Sequence, residues 1–356
     1  MSGATIARSE AERARLRALV RELALHVRAA VIRHVGAHAA RAHHDDVGAG
    51  GDVTFNIDAL AEAALADFVA REGAGAAFFS EARGLVRAAD GGDEPAERQA
   101  APASPEAPDT ADPPEPPVVL VVDPIDGTRP ALAGLESCCV SVAVAPLHAG
   151  VTMGEVEVGC VVEIPSGVVF LAERGRGLLE GPPLGPALPV AIERMFWTYG
   201  FRGRPARATA EVLAELIDRS SVSGGTFELG SAAYDMTRIL TGQLDAYVEP
   251  GPRLVDEVPG LRREFERVGG GAVLNNSSYD LAGAWLCLVE AGATVTDAVG
   301  RPLDDRPLLG SGADFQMSVV ASAGGRLHAD ILAALERGMD RVRALEPDGL
   351  LRAALD

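Results

Sequence analysis

The sequence predicts a layered α/β protein. Segments with the hydrophobic period of a helix alternate along the chain with short apolar runs that are typical of buried strands. The chain has 356 residues, of which 47% are hydrophobic, so it can bury a large core in one large domain or two. These observations favour mixed sheets covered by helices.

Two helices and a series of strands are predicted in the first half of the chain. Apolar residues recur at helical spacing over residues 9–34 and 59–72. Asp58 is placed to cap the second helix and Gly73 to end it. Strands follow at 76–81, 118–122, 138–147, 159–165 and 167–174, and the Pro- and Gly-rich residues 177–189 are predicted as a connection.

Residues 88–117 differ in composition from the rest of the chain. They hold eight Pro, eight acidic residues, one Arg and no large apolar residue. Such a segment cannot bury enough apolar surface to offset the entropy that it would lose on ordering. We therefore predict a disordered acidic insertion, which supplies about −7 of the formal charge of −19.

The second half of the chain alternates between helices and strands. In chain order we predict a strand at 195–201, helices at 205–219 and 231–241, a strand at 244–249, a helix at 280–291, strands at 292–298 and 315–322, and a helix at 326–345.

Charge and cysteine usage exclude several classes of protein. A net charge of −19 and a pI of about 4.8 disfavour binding to nucleic acid or to anionic membranes. No apolar run reaches the roughly 18 residues of a membrane span, and the N-terminus lacks the apolar segment of a signal peptide.

The four Cys form no CxxC pair and lie in apolar stretches, so we expect buried free thiols and a cytoplasmic protein. The seven His lack paired ligand spacing, and no zinc site is expected.

The predicted strand at 118–122 runs into two acidic residues, Asp123 and Asp126. Their carboxylates repel each other unless a cation joins them or one of them is protonated. Oxygen ligands suit hard cations such as Mg²⁺ or Mn²⁺, and the Ile125 carbonyl can face the same point. The simpler interpretation is an Asp-rich turn after a strand.

The next two residues, Gly127 and Thr128, open a short helical turn. Gly127 lets the backbone approach a ligand closely. Free amides at the start of a helix bind anions such as phosphate. Metal-binding acids beside an anion site indicate phosphoryl chemistry.

The sequence DPIDGT at 123–128 resembles the signature of the inositol monophosphatase family, within the superfamily that includes fructose-1,6-bisphosphatase. Three further blocks resemble the family in the same order, namely GDVTFNID at 51–58, FFSE at 78–81 and YDLAGAWLCLVEAGA at 279–293. GSAAYDM…GQLDAYVE, within 230–249, resembles the family's substrate-side helix and strand. The resemblance covers about residues 15–84 and 118–345. It implies an αβαβα sandwich.

The resemblance also implies which residues carry the chemistry. The metal ligands would be Glu81, Asp123, Asp126, Asp280 and the carbonyl of Ile125, holding two or three Mg²⁺ ions, with Mn²⁺ as an alternative. The catalytic residues would be Thr128, Asp58 and Glu81. Thr128, hydrogen-bonded to Asp58, would orient or deprotonate a metal-activated water that attacks phosphorus. The amides of Gly127 and Thr128 would bind phosphate. The polyol part of the substrate would contact Gly230, Ser231, Ala232 and Glu249.

Several of these residues have a simpler interpretation. Asp58 and Asp280 could only cap their helices, and Glu81 could be an acid at the end of a strand. Ser231 caps a helix on either interpretation. Glu249 could lie away from the substrate.

The chain also departs from the family pattern. Ala82 stands where the family usually repeats Glu, which could alter a third metal site. Arg129 follows DGT and could favour a substrate with a second anion or could point to solvent. Asp256 lies at the usual distance after Glu249, but only Asp280 begins the expected Ala- and Gly-containing helix. We therefore choose Asp280, and residues 251–278 become a second insertion.

The expected protein is a Mg²⁺-dependent phosphomonoesterase for a small sugar or polyol phosphate such as an inositol phosphate. The alternatives are a phosphatase of the same superfamily for fructose 1,6-bisphosphate, histidinol phosphate or a 3′-phosphonucleotide, and a member that binds a ligand without turnover. A metal-binding half at 1–185 and a substrate-side half at 186–356 would form one catalytic unit. The resemblance also implies a homodimer.

Overall fold

The computed structural model describes residues 8–41, 43–47, 53–73, 75–87, 118–182, 184, 190–346, 349 and 351. Its helices are α1 (Glu10–Val31), α2 (Asn56–Glu72), α3 (Thr128–Ala133), α4 (Ala206–Ser220), α5 (Ala232–Leu240), α6 (Gly251–Glu257), α7 (Arg262–Val268), α8 (Ser278–Ala291) and α9 (Gly325–Leu345). The strands of the first half are β1 (His43–Val47), β2 (Val53–Phe55), β3 (Ala77–Ser80), β4 (Gly84–Val86), β5 (Val118–Asp126), β6 (Cys139–Pro146), β7 (Val158–Glu163), β8 (Val169–Glu173) and β9 (Gly177–Glu180). Those of the second half are β10 (Phe196–Tyr199), β11 (Gly225–Phe227), β12 (Ala246–Glu249), β13 (Thr294–Thr296) and β14 (Val319–Ser322).

The larger sheet has seven strands in the order β4-β3-β5-β6-β7-β8-β9. β3 and β5 are parallel, and the other neighbours are antiparallel. Every residue of β5 is buried, because helices cover both faces of the sheet. Leu120 and Val122 pack with the core of α1 and α2, whereas Val119 and Val121 pack with that of α5 and α8.

The smaller sheet has five strands in the order β11-β10-β12-β14-β13. One of its faces meets α5 and α8, which therefore form a middle layer between the two sheets. α4 and α9 cover the other face, where Trp197 and Leu335 belong to a third apolar core. The five layers are α1/α2, the larger sheet, α5/α8, the smaller sheet and α4/α9, so the predicted αβαβα sandwich is confirmed.

Several details differ from the sequence prediction. The predicted connection at 177–189 contains β9, which extends the larger sheet by pairing with β8. The short strands β4 and β11 were missed, because three residues are too few to show a period. The predicted insertion at 251–278 contains two helices, α6 and α7.

Two predictions fall on residues outside those described. They are the disordered insertion at 88–117 and the boundary between halves at 185/186.

The four Cys are buried free thiols, as predicted. Among the described helices, none combines the length and the apolar character needed to cross a bilayer.

Candidate active site

Three carboxylates meet where β5 ends. One oxygen of each of Asp123, Asp126 and Asp280 lies within 4.8 Å of the other two. The pairing of β5 with β6 is irregular between Asp123 and Asp126, which frees this end of the strand from the regular ladder. Asp280 comes from the first turn of α8, and its carboxylate accepts a hydrogen bond from the Ser277 amide at 2.6 Å. Asp280 therefore caps its helix and faces the other two acids at once.

Burial and mutual repulsion disfavour the charged forms of these acids. The pKa of Asp123 is raised well above its ordinary value, first by burial and then by the charges of Asp126, Asp280 and Glu81. Burial raises the pKa of Asp126 to about 6, although the Ala233 amide donates to its carboxylate at 2.5 Å. Burial and the charge of Asp126 raise the pKa of Asp280 to about 7.

The donor set fits a hard divalent cation. It consists of carboxylate oxygens that are crowded, partly desolvated and mutually repulsive, and such a set binds Mg²⁺ or Mn²⁺ rather than a soft metal. Glu81 and the residue Ile125 line the same cleft as the three aspartates. The structure therefore brings together all five residues that the sequence analysis named as metal ligands.

Thr128 and Asp58 form the hydrogen bond that the resemblance implied. Thr128 Oγ1 lies 2.9 Å from Asp58 Oδ1 and 3.3 Å from the Ile125 carbonyl oxygen. The second oxygen of Asp58 accepts from the Phe55 amide at 2.8 Å, at the start of α2. Asp58 thus caps its helix and also holds the Thr128 side chain.

Gly127 occupies a position that excludes other residues. Its φ of +89° lies in the left-handed region, and a Cβ there would lie 2.5 Å from the Ser137 carbonyl oxygen and 2.8 Å from Ser231 Cβ. The close approach joins the start of α3 to the start of α5. It places Gly127 and Thr128 in the wall of the cleft beside the three aspartates.

The cleft has about 820 Å³ of empty space, counting the part that is open to solvent, and extends from the acids toward β10 and β12. Gly230, Ser231 and Ala232 line it, as the sequence analysis expected of substrate contacts. Ser231 is also the N-cap of α5, because its hydroxyl accepts from the Tyr234 amide at 3.3 Å. The cleft is therefore shared between the ends of both sheets.

Glu249 lies behind the cleft wall, in contrast to its predicted contact with substrate. Its side chain is wholly buried, it forms an ion pair with Arg204, and it accepts from the Gly251 amide at 2.7 Å. Arg204 lines the cleft and Glu249 does not. The sequence did not indicate that Arg204 would line the cleft in place of Glu249, because the two residues are 45 positions apart.

A second, smaller cleft of about 430 Å³ lies on the other side of Asp123 and Glu81. Glu62 of α2 lines it and is 6% exposed. The Ser80 hydroxyl donates to Glu62 at 3.0 Å, and Arg83 Nε lies 3.6 Å away. Glu62 thereby holds residues on both sides of Glu81. The feature of the sequence that could have indicated Glu62 is its position one helical turn after Asp58, on a face of α2 that is buried in the structure.

Asp256, Ala82 and Arg129 are the residues at which the chain departs from the family pattern or offers an alternative ligand. Asp256 is exposed on α6, whereas Asp280 lies in the cluster of acids. Ala82 lines the smaller cleft. The Arg129 guanidinium lies 5.4 Å from the centre of the Phe55 ring while its residue lines the larger cleft.

Comparison with known proteins identifies the class. A profile of the inositol monophosphatase family matches residues 13–340. The chain therefore belongs to this family of phosphoric monoester hydrolases.

Individual proteins and one solved structure are also similar to this chain. A protein of Methanothermobacter thermautotrophicus named fructose-1,6-bisphosphatase/inositol-1-monophosphatase is 26% identical over 297 residues, 82% of this chain and 86% of that protein. An inositol-1-monophosphatase of Mycobacterium bovis is 28% identical over 191 residues, 51% of this chain and 60% of that protein. A solved structure of the extragenic suppressor protein suhB from Bartonella henselae has a TM-score of 0.62 at 18% identity and covers 91% of this chain and 99% of its own. At that identity the structure supports the fold alone.

Proposed function

We propose that the chain is a Mg²⁺-dependent phosphomonoesterase that acts on a small sugar or polyol phosphate. The observation that carries the proposal is the joint placement of three carboxylates and the Thr128–Asp58 hydrogen bond in one cleft. Membership of the inositol monophosphatase family supports the same conclusion.

The residues that would hold the metal are Glu81, Asp123, Asp126, Asp280 and the carbonyl of Ile125. The metal supplies charge neutralisation and activation of water in reactions at phosphorus, and two or three ions are proposed here. Raised pKa values at Asp123, Asp126 and Asp280 give the physical reason for binding, because a cation would offset their repulsion.

Thr128 and Asp58 are proposed to orient the attacking water. With the hydroxyl proton of Thr128 donated to Asp58 Oδ1, the lone pairs of Thr128 Oγ1 can accept a hydrogen bond from water. A proton leaving the water can pass to Thr128 Oγ1 as the threonine proton moves toward Asp58. The backbone amides of Gly127 and Thr128 would bind phosphate oxygens from the start of α3.

The substrate is proposed from the relatives and from the cleft. Relatives carry the names inositol-1-monophosphatase and fructose-1,6-bisphosphatase/inositol-1-monophosphatase. Polar residues dominate the far end of the cleft, which suits a hydroxylated substrate. A fructose bisphosphate is the second candidate, because Arg129, Arg202 and Arg204 all line the same cleft. We also propose a cytoplasmic location, which the four free thiols support, and a homodimer.

The deciding experiment measures phosphate release from sugar, polyol and nucleotide monophosphates, with Mg²⁺ and with EDTA. We compare wild type, Asp123→Asn and Asp256→Asn. Metal-dependent release that is lost in Asp123→Asn and retained in Asp256→Asn would establish the activity. No release from any compound by a folded protein that binds Mg²⁺ would favour a ligand-binding role. Sedimentation of the same protein tests the dimer.

A further inference from the structure

The far end of the larger cleft is built around a buried arginine. Arg204 is 7% exposed and lines the cleft. Its guanidinium donates to Glu249 and to the Arg202 carbonyl, and it lies 3.5 Å from the Asn276 side-chain oxygen. A guanidinium carries five N–H donors. Its Nε is buried and has no hydrogen-bond partner among the described residues.

Glu249 is closed off from any ligand. Its two oxygens are taken by Arg204 and by the Gly251 amide. A Cβ added at Gly200 would lie 1.9 Å from one oxygen, and a Cβ added at Gly251 would lie 2.6 Å from the other. Glycine at both positions therefore lets the backbone enclose the carboxylate, and no room remains for a substrate hydroxyl.

The ion pair changes what this end of the cleft can recognise. An exposed carboxylate at Glu249 would accept hydrogen bonds from hydroxyl groups, whereas the buried pair presents the donors of Arg204 instead. Arg202 lies at the rim and adds a second positive charge, which acts on Asp126 and Asp280. A planar guanidinium with donors to spare matches an oxyanion.

One acid opposes this arrangement. Glu228 lies exposed at the rim of the same cleft, within range of the charges of both Arg202 and Arg204. It competes with a bound anion for these arginines. Its removal should therefore strengthen anion binding.

We propose that Arg204, held by Glu249, forms a subsite for a second oxyanion on the substrate, either a carboxylate or a second phosphate. The inference rests on the proposed phosphatase function of the same cleft. In this role Arg204 sets specificity, and Glu249 positions Arg204 without contacting the substrate.

The test compares esters that differ in one group. Glycerol 2-phosphate and 2-phosphoglycerate differ by a hydroxymethyl group against a carboxylate, and glucose 1-phosphate and glucose 1,6-bisphosphate differ by one phosphate. At saturating Mg²⁺ we expect wild-type kcat/KM to favour the anionic member of at least one pair by about tenfold or more. The two pairs distinguish a carboxylate from a phosphate, and a preference in either pair supports the subsite.

Variants then assign the preference to Arg204. The double variant Arg204→Met with Glu249→Gln removes both charges together, so that no unpaired charge is buried. We expect the preference to fall to about threefold or less, whereas Glu228→Gln should increase it. Equal kcat/KM within both pairs for wild type, or an unchanged preference in the double variant, would overturn the subsite.

Two further outcomes also decide whether the subsite exists. If wild type hydrolyses none of the four esters, the proposed function fails for them, and calorimetric titration with the same esters decides the subsite separately. Tighter binding of an anionic member supports it, and equal binding within both pairs overturns it. If the double variant does not fold, the same comparison with Glu228→Gln decides, because an unchanged preference in that variant contradicts the proposal.

Discussion

The two ends of the cleft are built in different ways. The end that is proposed to hold metal, around Asp123, Asp126 and Asp280, is called the metal end, and the end around Arg204 is called the substrate end. At the metal end, Asp58 and Asp280 also accept hydrogen bonds from backbone amides three residues earlier in the chain. At the substrate end, Arg204 meets Glu249 and Asn276 across 45 and 72 residues of sequence. Asp58 and Asp280 are therefore oriented by caps of their own helices, although long-range contacts such as Thr128–Asp58 also join distant segments at the metal end, whereas Arg204 is oriented by contacts between distant elements alone.

This difference has a consequence for specificity. A capped acid keeps its place as long as its own helix begins at the same residue. A buried ion pair depends on both partners and on the glycines that enclose it, so a single substitution at any of these positions can disrupt it. We expect the residues of the metal end to be the same in relatives of this chain and the residues of the substrate end to differ.

After the loss of activity expected for Asp123→Asn, the largest effect is expected from Thr128→Ala. Loss of the hydroxyl removes the hydrogen bond to Asp58 and the acceptor for the attacking water, so kcat should fall by about 10²–10⁴-fold. KM should change little, because the Gly127 and Thr128 amides that are proposed to bind phosphate remain. Steady-state phosphate release measures both constants. Thr128→Ser is the matched control and should retain most activity; equal losses in the two variants would rule out a role for the hydroxyl.

How far the sequence predicts the structure follows the same division. DPIDGT, FFSE and the helix start at Asp280 led to the acids, because each of these motifs fixes its own local geometry. The Thr128–Asp58 hydrogen bond joins DPIDGT to GDVTFNID across 70 residues, and only the family resemblance implied it. The choice of Asp280 over Asp256 rested on the helix that follows it, and the structure places only Asp280 with the other acids.

The substrate end could not be predicted in this way. Glu249 matched the family position, yet nothing in the residues around it indicates that Arg204 would reach it from the loop before α4. The Arg204–Glu249 contact depends on the pairing of β10 with β12 in the smaller sheet, which a single sequence does not specify. Helices α6 and α7 were missed because each has only seven residues and Pro259 lies between them.

Glu62→Gln tests whether the metal end extends to a residue without a predicted role. Glu62 accepts from the Ser80 hydroxyl and lies beside Arg83, so it holds the turn that carries Glu81. Outer residues of metal sites typically change metal affinity by about 10–100-fold. We expect the Mg²⁺ concentration for half-maximal activity, and the Mn²⁺ dissociation constant by calorimetry, to rise by about tenfold. The exposed Glu72→Gln on the same helix is the control; unchanged metal binding in Glu62→Gln would limit Glu62 to a structural role.

Gly200→Ala tests the enclosure at the substrate end. The added Cβ would lie 1.9 Å from Glu249 Oε2 and 3.2 Å from an Arg204 nitrogen, so the pair must shift. Overpacking of this kind costs about 1–3 kcal/mol of stability. We expect a lower melting temperature and a higher KM with a smaller change in kcat, because the acids are untouched. Gly325→Ala has space for its Cβ and serves as control. A change in kcat alone would contradict the separation of the two ends.

The smallest effect on activity is expected at His328, away from both ends. His328 is buried between Thr296 and Ser322, and burial lowers its pKa from 6.5 to about 4. Because the unfolded chain binds the proton more readily, stability is complete above pH 6.5 and is lost as the pH falls from 6.5 toward 4. The shift corresponds to about 3 kcal/mol at most. We expect chemical denaturation of His328→Gln to show a shallower pH dependence than wild type over this range, with kcat unchanged at pH 7.5. Exposed His38→Gln should behave as wild type, and an identical pH dependence in all three proteins would exclude His328 as the titrating group.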